Sequence, residues 1–369
     1  VAATLRPTAL AVATEMLGLT PAASGTDPAD VVGLVGPRGR ARFLLPLATA
    51  PATRAACLAY VGLRDRRTIA QRLAVAGAFA AGAGALVAPD RLVVDRSPGS
   101  LLTHLGTLLG RPEVPMVVAM GLGTVDIVWK PTLQLFELDG TPAAFVKVGR
   151  GPVPAALVQR EAKALTTWQE HPDPRLVVPD LLATGSWRDL PFVVVAPLPA
   201  DARRLPAPVS AWAVGTLDPP VADGRLERSP WWARQRAKAA ASTERHVELL
   251  DRVEQRHADV DHAWARWHGD WVPWNLARCS RGLVAWDWEY SEAAAPAGLD
   301  DVHGRYQQHH VVHGRRIADA LVRAKAPSPW LGDAHVAMLV ARDAELGTLA
   351  GVEPDHRVEL LDAADEALR

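Results

Sequence analysis

Cysteine is scarce in this chain. Cys57 and Cys279 are the only two in 369 residues, far apart and without metal-ligand companions at short spacing. A disulfide framework is thereby excluded, and a reducing cytoplasm is the expected setting. Lysine is scarce as well, five of the 40 basic residues. No charge of one sign dominates: the formal net charge is −1, whereas a general nucleic-acid binder would carry a clear basic surplus. Long hydrophobic runs are missing too. The longest, 73–88, is rich in Ala and Gly and only 16 residues long, short of the roughly 20 that cross a bilayer. It is expected to be a buried amphipathic helix, not a membrane span. The first residues lack a basic cluster followed by an apolar run and a small-residue cleavage site, so no secretory signal is expected. Internal repeats and low-complexity tracts are also wanting. What is present is ordinary for a folded protein, 49% hydrophobic and 22% charged residues, with enough length for two or three cores.

Three regions follow from the patterning. Residues 1–95 mix a strand-like run at 41–47 with helical stretches at 50–62 and 68–85, and close on a short apolar run at 91–94. Asp95-Arg96-Ser97-Pro98-Gly99 reads as a turn, and a helix over 100–109 leads onward. Residues 96–200 are rich in strands, at 116–120, 125–129, 133–138 and 143–148, the last two flanking the hairpin signal Asp139-Gly140-Thr141-Pro142. A helix over 154–168 and extended runs at 181–184 and 192–196 complete an α+β region. Residues 201–369 are mainly helical, with a Pro/Gly-rich stretch at 216–230, a long helix at 231–256 and a short hairpin at 275–287.

Chemistry concentrates in Trp267-His268-Gly269-Asp270-Trp271-Val272-Pro273-Trp274-Asn275. An Asp followed five positions later by an Asn matches the catalytic-loop spacing of kinases. There a carboxylate accepts the proton of the attacking hydroxyl, while a neutral oxygen ligand binds a hard cation without adding charge. Two extended runs then surround Cys279-Ser280-Arg281-Gly282. Paired as a hairpin with a four-residue loop, they set Arg278 opposite Leu283 and Asn275 opposite Trp286. Asp287 follows at the open end beside Asn275, close enough for the two side chains to share one ion. Asp287 as a plain strand end is the alternative.

Lys147 sits in an apolar strand, Phe145-Val146-Lys147-Val148, where burial is costly unless an anion meets it. Fourteen residues later, Glu161 shares a helix face with Val158, Leu165 and Trp168, so an inward carboxylate is available as its partner. In kinases such a pair aims the Lys at the α/β-phosphates of ATP. A snorkelling Lys and a solvated Glu would be the bland counterpart. The turn Gly121-Leu122-Gly123-Thr124 offers backbone N–H groups to phosphates, although two glycines between strands are common in any hairpin.

His268-Gly269-Asp270 with Asn275, followed by Asp287-Trp288-Glu289, resembles the signature of the aminoglycoside phosphotransferase and choline kinase-like family. The resemblance spans roughly residues 112–365. It implies a bilobal, protein-kinase-like α+β fold with a strand-rich N-lobe (96–200) and a helical C-lobe (201–369). Residues 1–95 match nothing in that core and stand as an N-terminal extension or cap. It further implies ATP, in some members GTP, with Mg²⁺, and phosphorylation of a small-molecule hydroxyl. Asp270 is then the catalytic base and Asn275 and Asp287 are the metal ligands, while Lys147 with Glu161 grips the nucleotide and Gly121 and Gly123 lie near its phosphates. His268 fixes the loop or titrates, and Glu289 is a neighbour of the metal or a packing partner. Residues 192–199 would hold the adenine. The family has one Asp after a Pro in the next block, whereas here both Asp300 and Asp301 follow Pro296.

The acceptor has two clues. Residues 343–369 carry eight acidic groups, Asp343, Glu345, Glu353, Asp355, Glu359, Asp362, Asp365 and Glu366, against Arg357 and Arg369. They suit a cationic amino sugar or aminoglycoside-like acceptor, or simply form a solvated face. Trp271, Trp274 and Trp288 either stack on a sugar ring or pack the core. A catalytically silent, kinase-like binding or regulatory protein acting through residues 1–95 is the rival from another class. Nucleic-acid, membrane and structural roles find no support.

Overall fold

The computed structural model describes residues 8–36, 41–205, 222–351 and 358–369. The chain divides into two units, one of Val1–His171 with Val178–Arg203 and one of Pro172–Val177 with Arg204–Arg369. The class is α+β, as the patterning predicts: the first unit holds a large antiparallel sheet and the second is mainly helical.

In the first unit the helices are α1 (Ala9–Leu17), α2 (Ala50–Leu58), α3 (Arg66–Ala80), α4 (Gly84–Val87), α5 (Leu101–Leu108) and α6 (Pro152–Glu170). Its strands are β1 (Thr20–Pro21), β2 (Val31–Val35), β3 (Phe43–Pro46), β4 (Asp90–Val93), β5 (Val117–Gly121), β6 (Thr132–Phe136) and β7 (Pro142–Val148). After β8 (Leu176–Val177), which belongs to the second unit, come β9 (Leu181–Trp187) and β10 (Leu190–Val195). The nine strands run β1-β4-β2-β3-β5-β6-β7-β10-β9, every neighbouring pair antiparallel. The two-residue period of a strand feeds two cores. Along β5, Val118 and Met120 join the core with α1 and α5, while Val117 and Ala119 join the one with α2. Burying side chains of the size of Met120 or Leu133 contributes about 1.5–3 kcal/mol each.

Residues 1–95 do not form a sheet of their own. Their four strands continue the same sheet, joined where Phe43 pairs with Gly121 and Leu44 with Met120. Pairing across this seam satisfies the N–H and C=O groups that an edge at β5 would expose. Some expectations need correction. Residues 125–129 form no strand, and β5 is followed by an irregular connection up to β6. The helix expected over 68–85 breaks into α3 and α4 around Gly82, whose φ is 76°. Nor is α3 buried. Val75, Ala76 and Phe79 lean on the core at α2, while Leu73 and Leu86 are 52% and 85% exposed. Small Ala and Gly side chains raise the apolar count of that run but bury little area. No helix among the described residues is long and apolar enough to cross a membrane.

The second unit has the helices α7 (Pro230–Ala240), α8 (Glu244–His257), α9 (Leu299–Gln307), α10 (Ile317–Arg323), α11 (Pro329–Ala350) and α12 (Val358–Ala367). The single helix expected over 231–256 is thus two, α7 and α8. Thr243 is the N-cap residue of α8, its hydroxyl 2.6 Å from His246 Nδ1, and a β-region backbone there ends one helix before the next begins. A sheet of β11 (Ala222–Arg225), β12 (Asp261–Trp267) and β15 (Glu292–Pro296) went unpredicted. Of the Pro/Gly-rich stretch, 216–221 lies outside the described residues. The predicted hairpin is β13 (Leu276–Cys279) and β14 (Gly282–Ala285). Arg278 pairs with Leu283 as expected, but Cys279 also pairs with Gly282, which leaves a two-residue turn, Ser280-Arg281. Strand β8 lies parallel to β14. Trp231, Trp232, Trp264 and Trp267 pack with Leu249, Val253, Val302 and Val340 in the unit's core.

Candidate active site

Strand β12 delivers the chain to His268-Gly269-Asp270 at its C-terminal end. Gly269 has φ 85°, and a Cβ there would lie 2.4 Å from Tyr290 O, so only glycine fits the bend. Several groups clamp this bend. Asp300, at the start of α9, accepts from the backbone N–H groups of His268 (2.7 Å) and Gly269 (3.0 Å). Arg342 of α11 donates to Gly269 O at 2.7 Å while its guanidinium lies over the Tyr290 ring, 3.8 Å from the centroid. His268 is fully buried, its Nε2 2.9 Å from Trp286 O, while Nδ1 accepts from Asp270 N at 3.2 Å. These partners place its proton on Nε2 and give it the part of a loop brace. Of the two candidate acids after Pro296, Asp300 meets the loop, whereas Asp301 pairs with Arg305 at 2.8 Å.

The Asp270 carboxylate has a neighbour at each oxygen. Oδ2 accepts from Asn275 Nδ2 at 2.8 Å, and that same nitrogen lies 3.2 Å from Asp270 O. Oδ1 lies 3.4 Å from His303 Nε2, and the side chain is 24% exposed. Burial pushes its pKa up, but the hydrogen bond from His303 and the charge of nearby Arg342 outweigh this and hold it below the usual aspartate range. An ionised, part-buried, oriented carboxylate is what a general base requires.

Asn275 spends its amide nitrogen on Asp270, which leaves Oδ1 as its donor to a cation. The strand pairing continues one step past β13 and β14, because Trp286 N donates to Asn275 O at 3.2 Å. Asp287 follows in the left-handed region, φ 65°. A carboxylate oxygen of Asp287 and one of Glu289 lie within 4.8 Å of each other, and Glu289 is 7% exposed. The two carboxylates are oxygen ligands of the kind a hard divalent ion such as Mg²⁺ takes.

In the first unit, Lys147 of β7 and Glu161 of α6 form the predicted pair. Lys147 Nζ lies 2.6 and 2.8 Å from the two Glu161 oxygens, and the residues are 9% and 2% exposed. Glu161 lies in the buried stripe of α6 with Leu157, Val158, Leu165 and Trp168, and α6 packs on β7, β9 and β10. Gly121 ends β5 and Gly123 lies in the connection after it. Neither has a positive φ, and a Cβ at either would meet nothing within 4 Å. The fold around them does not itself demand glycine.

The acceptor clues separate. Trp271 and Trp288 are 3% and 1% exposed and pack the core, whereas Trp274 is 44% exposed. Most of the acidic groups have partners within the unit. Asp343 meets His246 at 3.2 Å, Glu345 meets Lys238 at 3.3 Å, and Glu359 meets Arg316 at 3.7 Å. Asp362 meets Arg245 at 2.6 Å, and Asp365 meets Arg252 and Arg369 at 2.7 and 2.8 Å. Glu353, Asp355 and Arg357 lie outside the described residues. His303, His335, Tyr290 and Arg342 escaped the sequence reading. Only His303 left a trace there, on the same helix face as Leu299, Val302 and Tyr306.

No protein-family model matches the chain, and no curated protein sequence does. Among solved structures it is similar in fold to a thermostable mutant of the aminoglycoside phosphotransferase APH(4)-Ia, in a ternary complex with ADP and hygromycin B. That match has 10% identity, covers 73% of this chain and 98% of that one, and has a TM-score of 0.46. An amicoumacin kinase with AMP-PNP and Ca²⁺ is similar at 11% identity, 69% and 87% coverage and TM-score 0.41. So is a choline kinase from Streptococcus pneumoniae, at 14% identity, 67% and 91% coverage and TM-score 0.41. Likenesses this distant assign no activity, which has to come from the side chains.

Proposed function

We propose that the chain is a Mg-ATP-dependent phosphotransferase that moves the γ-phosphoryl group to a hydroxyl of a small molecule. One observation carries this. Asn275 gives its amide nitrogen to Asp270, 2.8 Å away, and so keeps its oxygen available to a cation. A base and a metal ligand oriented by one hydrogen bond are the pairing that phosphoryl transfer uses.

Asp270 orients the acceptor hydroxyl and takes its proton as the oxygen attacks phosphorus. Asn275 and Asp287 would hold Mg²⁺, with Glu289 alongside, and the ion would supply neutralisation of phosphate charge. Lys147, steadied by Glu161, binds the α/β-phosphates, and the space above Gly121 and Gly123 lets backbone N–H groups come near them. Because such transition states are loose, positioning and charge supply most of the catalysis.

The acceptor we propose is sugar-like, amino sugars and aminoglycosides included. The exposed ring of Trp274, between Asp270 and Asn275 in sequence, supports a stacking surface. The partnered acidic groups of the second unit give no reason to favour a cationic acceptor over a neutral one. A panel of amino sugars, neutral sugars, aminoglycosides and amino alcohols, scored by acceptor-dependent release of ADP or GDP, tests the proposal. Turnover with at least one hydroxyl acceptor is expected. Nucleotide binding without transfer to any would favour a silent binding protein.

A further inference from the structure

Behind Asp270 lies a buried pair of imidazoles that the scheme above does not use. His303 of α9 is 0% exposed and His335 of α11 is 1% exposed. His303 Nε2 lies 3.4 Å from Asp270 Oδ1, and its Nδ1 lies 3.2 Å from His335 Nε2. The Tyr306 ring stacks on His303, 6.2 Å between centroids and 25° between planes. The Gln307 amide nitrogen lies 3.4 Å from His303 Nε2, a long contact that is no hydrogen bond once Nε2 carries the proton. Polar rings at zero exposure are costly unless each nitrogen has a use. Neighbours on the same face of α9, Leu299 and Val302, are apolar, so packing alone calls for no histidine here.

We propose that His303, backed by His335, is a positioning residue that fixes the plane of the Asp270 carboxylate for the acceptor hydroxyl. This rests on the phosphotransfer function proposed above. Asn275 alone grips one oxygen and leaves the carboxylate free to turn about its Cβ–Cγ bond. A second donor on Oδ1 stops that rotation. His303 donates from Nε2 to Asp270, so Nδ1 must accept, and His335 supplies the proton from its own Nε2. The relay of donors assigns one tautomer to each ring. Burial lowers the pKa of both, that of His335 well below 6.5. Neutral rings hold the carboxylate without cancelling the charge that makes it a base.

The test uses the full chain with an acceptor found in the panel. Three forms are compared, wild type, His303→Leu, which keeps bulk without a donor, and His303→Gln, whose amide reaches a similar point. The loss of a hydrogen bond to a charged group predicts a kcat about 10- to 100-fold lower for His303→Leu. KM for ATP should stay within about twofold of wild type, and His303→Gln should recover most of the loss. A merely structural role would lower thermal stability in both variants without this split or rescue. Should His303→Leu fail to fold, ¹⁵N NMR of the imidazoles in wild type and Asp270→Asn decides. The His303 signals should report an Nε2–H tautomer and move on Asp270→Asn. A kcat for His303→Leu within twofold of wild type, no rescue by Gln, or His303 signals indifferent to Asp270→Asn would each overturn the proposal. A wild type that turns over no acceptor would defeat the phosphotransfer function itself, and this role with it, before any variant is made.

Discussion

Gly269 and Asp287 carry unusual backbone angles on either side of the same chemistry. Gly269 at φ 85° has backbone oxygen of Tyr290 where a side chain would start. Gly269→Ala should therefore displace Asp270 and cost more than about 1 kcal/mol of stability, seen as a lower thermal midpoint together with a larger fall in kcat. Asp287 tolerates φ 65° because its short polar side chain suits the left-handed region. Asn suits it too. Asp287→Asn should leave the thermal midpoint nearly unchanged while raising the Mg²⁺ concentration for half-maximal turnover by about tenfold, the loss of one charged ligand contact. An unchanged Mg²⁺ requirement would remove Asp287 from the metal site. The Gly between His268 and Asp270 was visible in the sequence. Its contact at Tyr290 was not, since spacing cannot show where a loop folds back.

Helices α9 and α11 bring His303 and His335 together, and their burial makes a pH-dependent contribution to stability. In the unfolded chain both imidazoles take up protons as pH falls below about 6.5. In the folded protein burial, foremost, and the neighbouring Arg342 lower both pKa values, so the unfolded state binds more protons in that window. Stability is then complete above about pH 7 and falls on acidification, by up to about 1.4 kcal/mol per pH unit for each group. The lowered pKa of Asp270 acts in the same direction, but its contribution is lost only below the ordinary aspartate range near 3.9. Denaturant midpoints measured from pH 7.5 to 5 should show the fall, with a shallower slope in His335→Gln. Identical slopes would mean that His335 titrates normally when folded. At this scale the sequence was readable where one period dominates. The apolar run around Lys147 and the buried stripe of α6 gave the Lys147–Glu161 pair. It was less readable at Ser242-Thr243, where a cap interrupts a run of good helix formers.

For the whole chain, the limits of sequence reading came from pairing between distant segments. Strand β3 meets β5 across more than seventy residues, and composition contains no hint that 1–95 and 96–200 share one sheet. The run His262-Ala263-Trp264-Ala265-Arg266-Trp267 lacks a clean two-residue period, and the partners that make it a strand lie at 222–225 and 292–296. Charge left two readings open for a related reason. Five of the eight acids near the C-terminus, Asp343, Glu345, Glu359, Asp362 and Asp365, meet bases from α7, from α8, at Arg316 and at Arg369. The geometry of 268–287 was legible because it is local: a loop and a hairpin whose register follows from a single turn. Asp270 as general base is the claim on which the function depends. Its direct measurement is single-turnover transfer of the γ-phosphoryl group by wild type and Asp270→Asn, with ATP affinity measured in parallel. The expected result is a rate lower by about 10²- to 10⁴-fold with ATP affinity unchanged, and equal rates in the two proteins would contradict it.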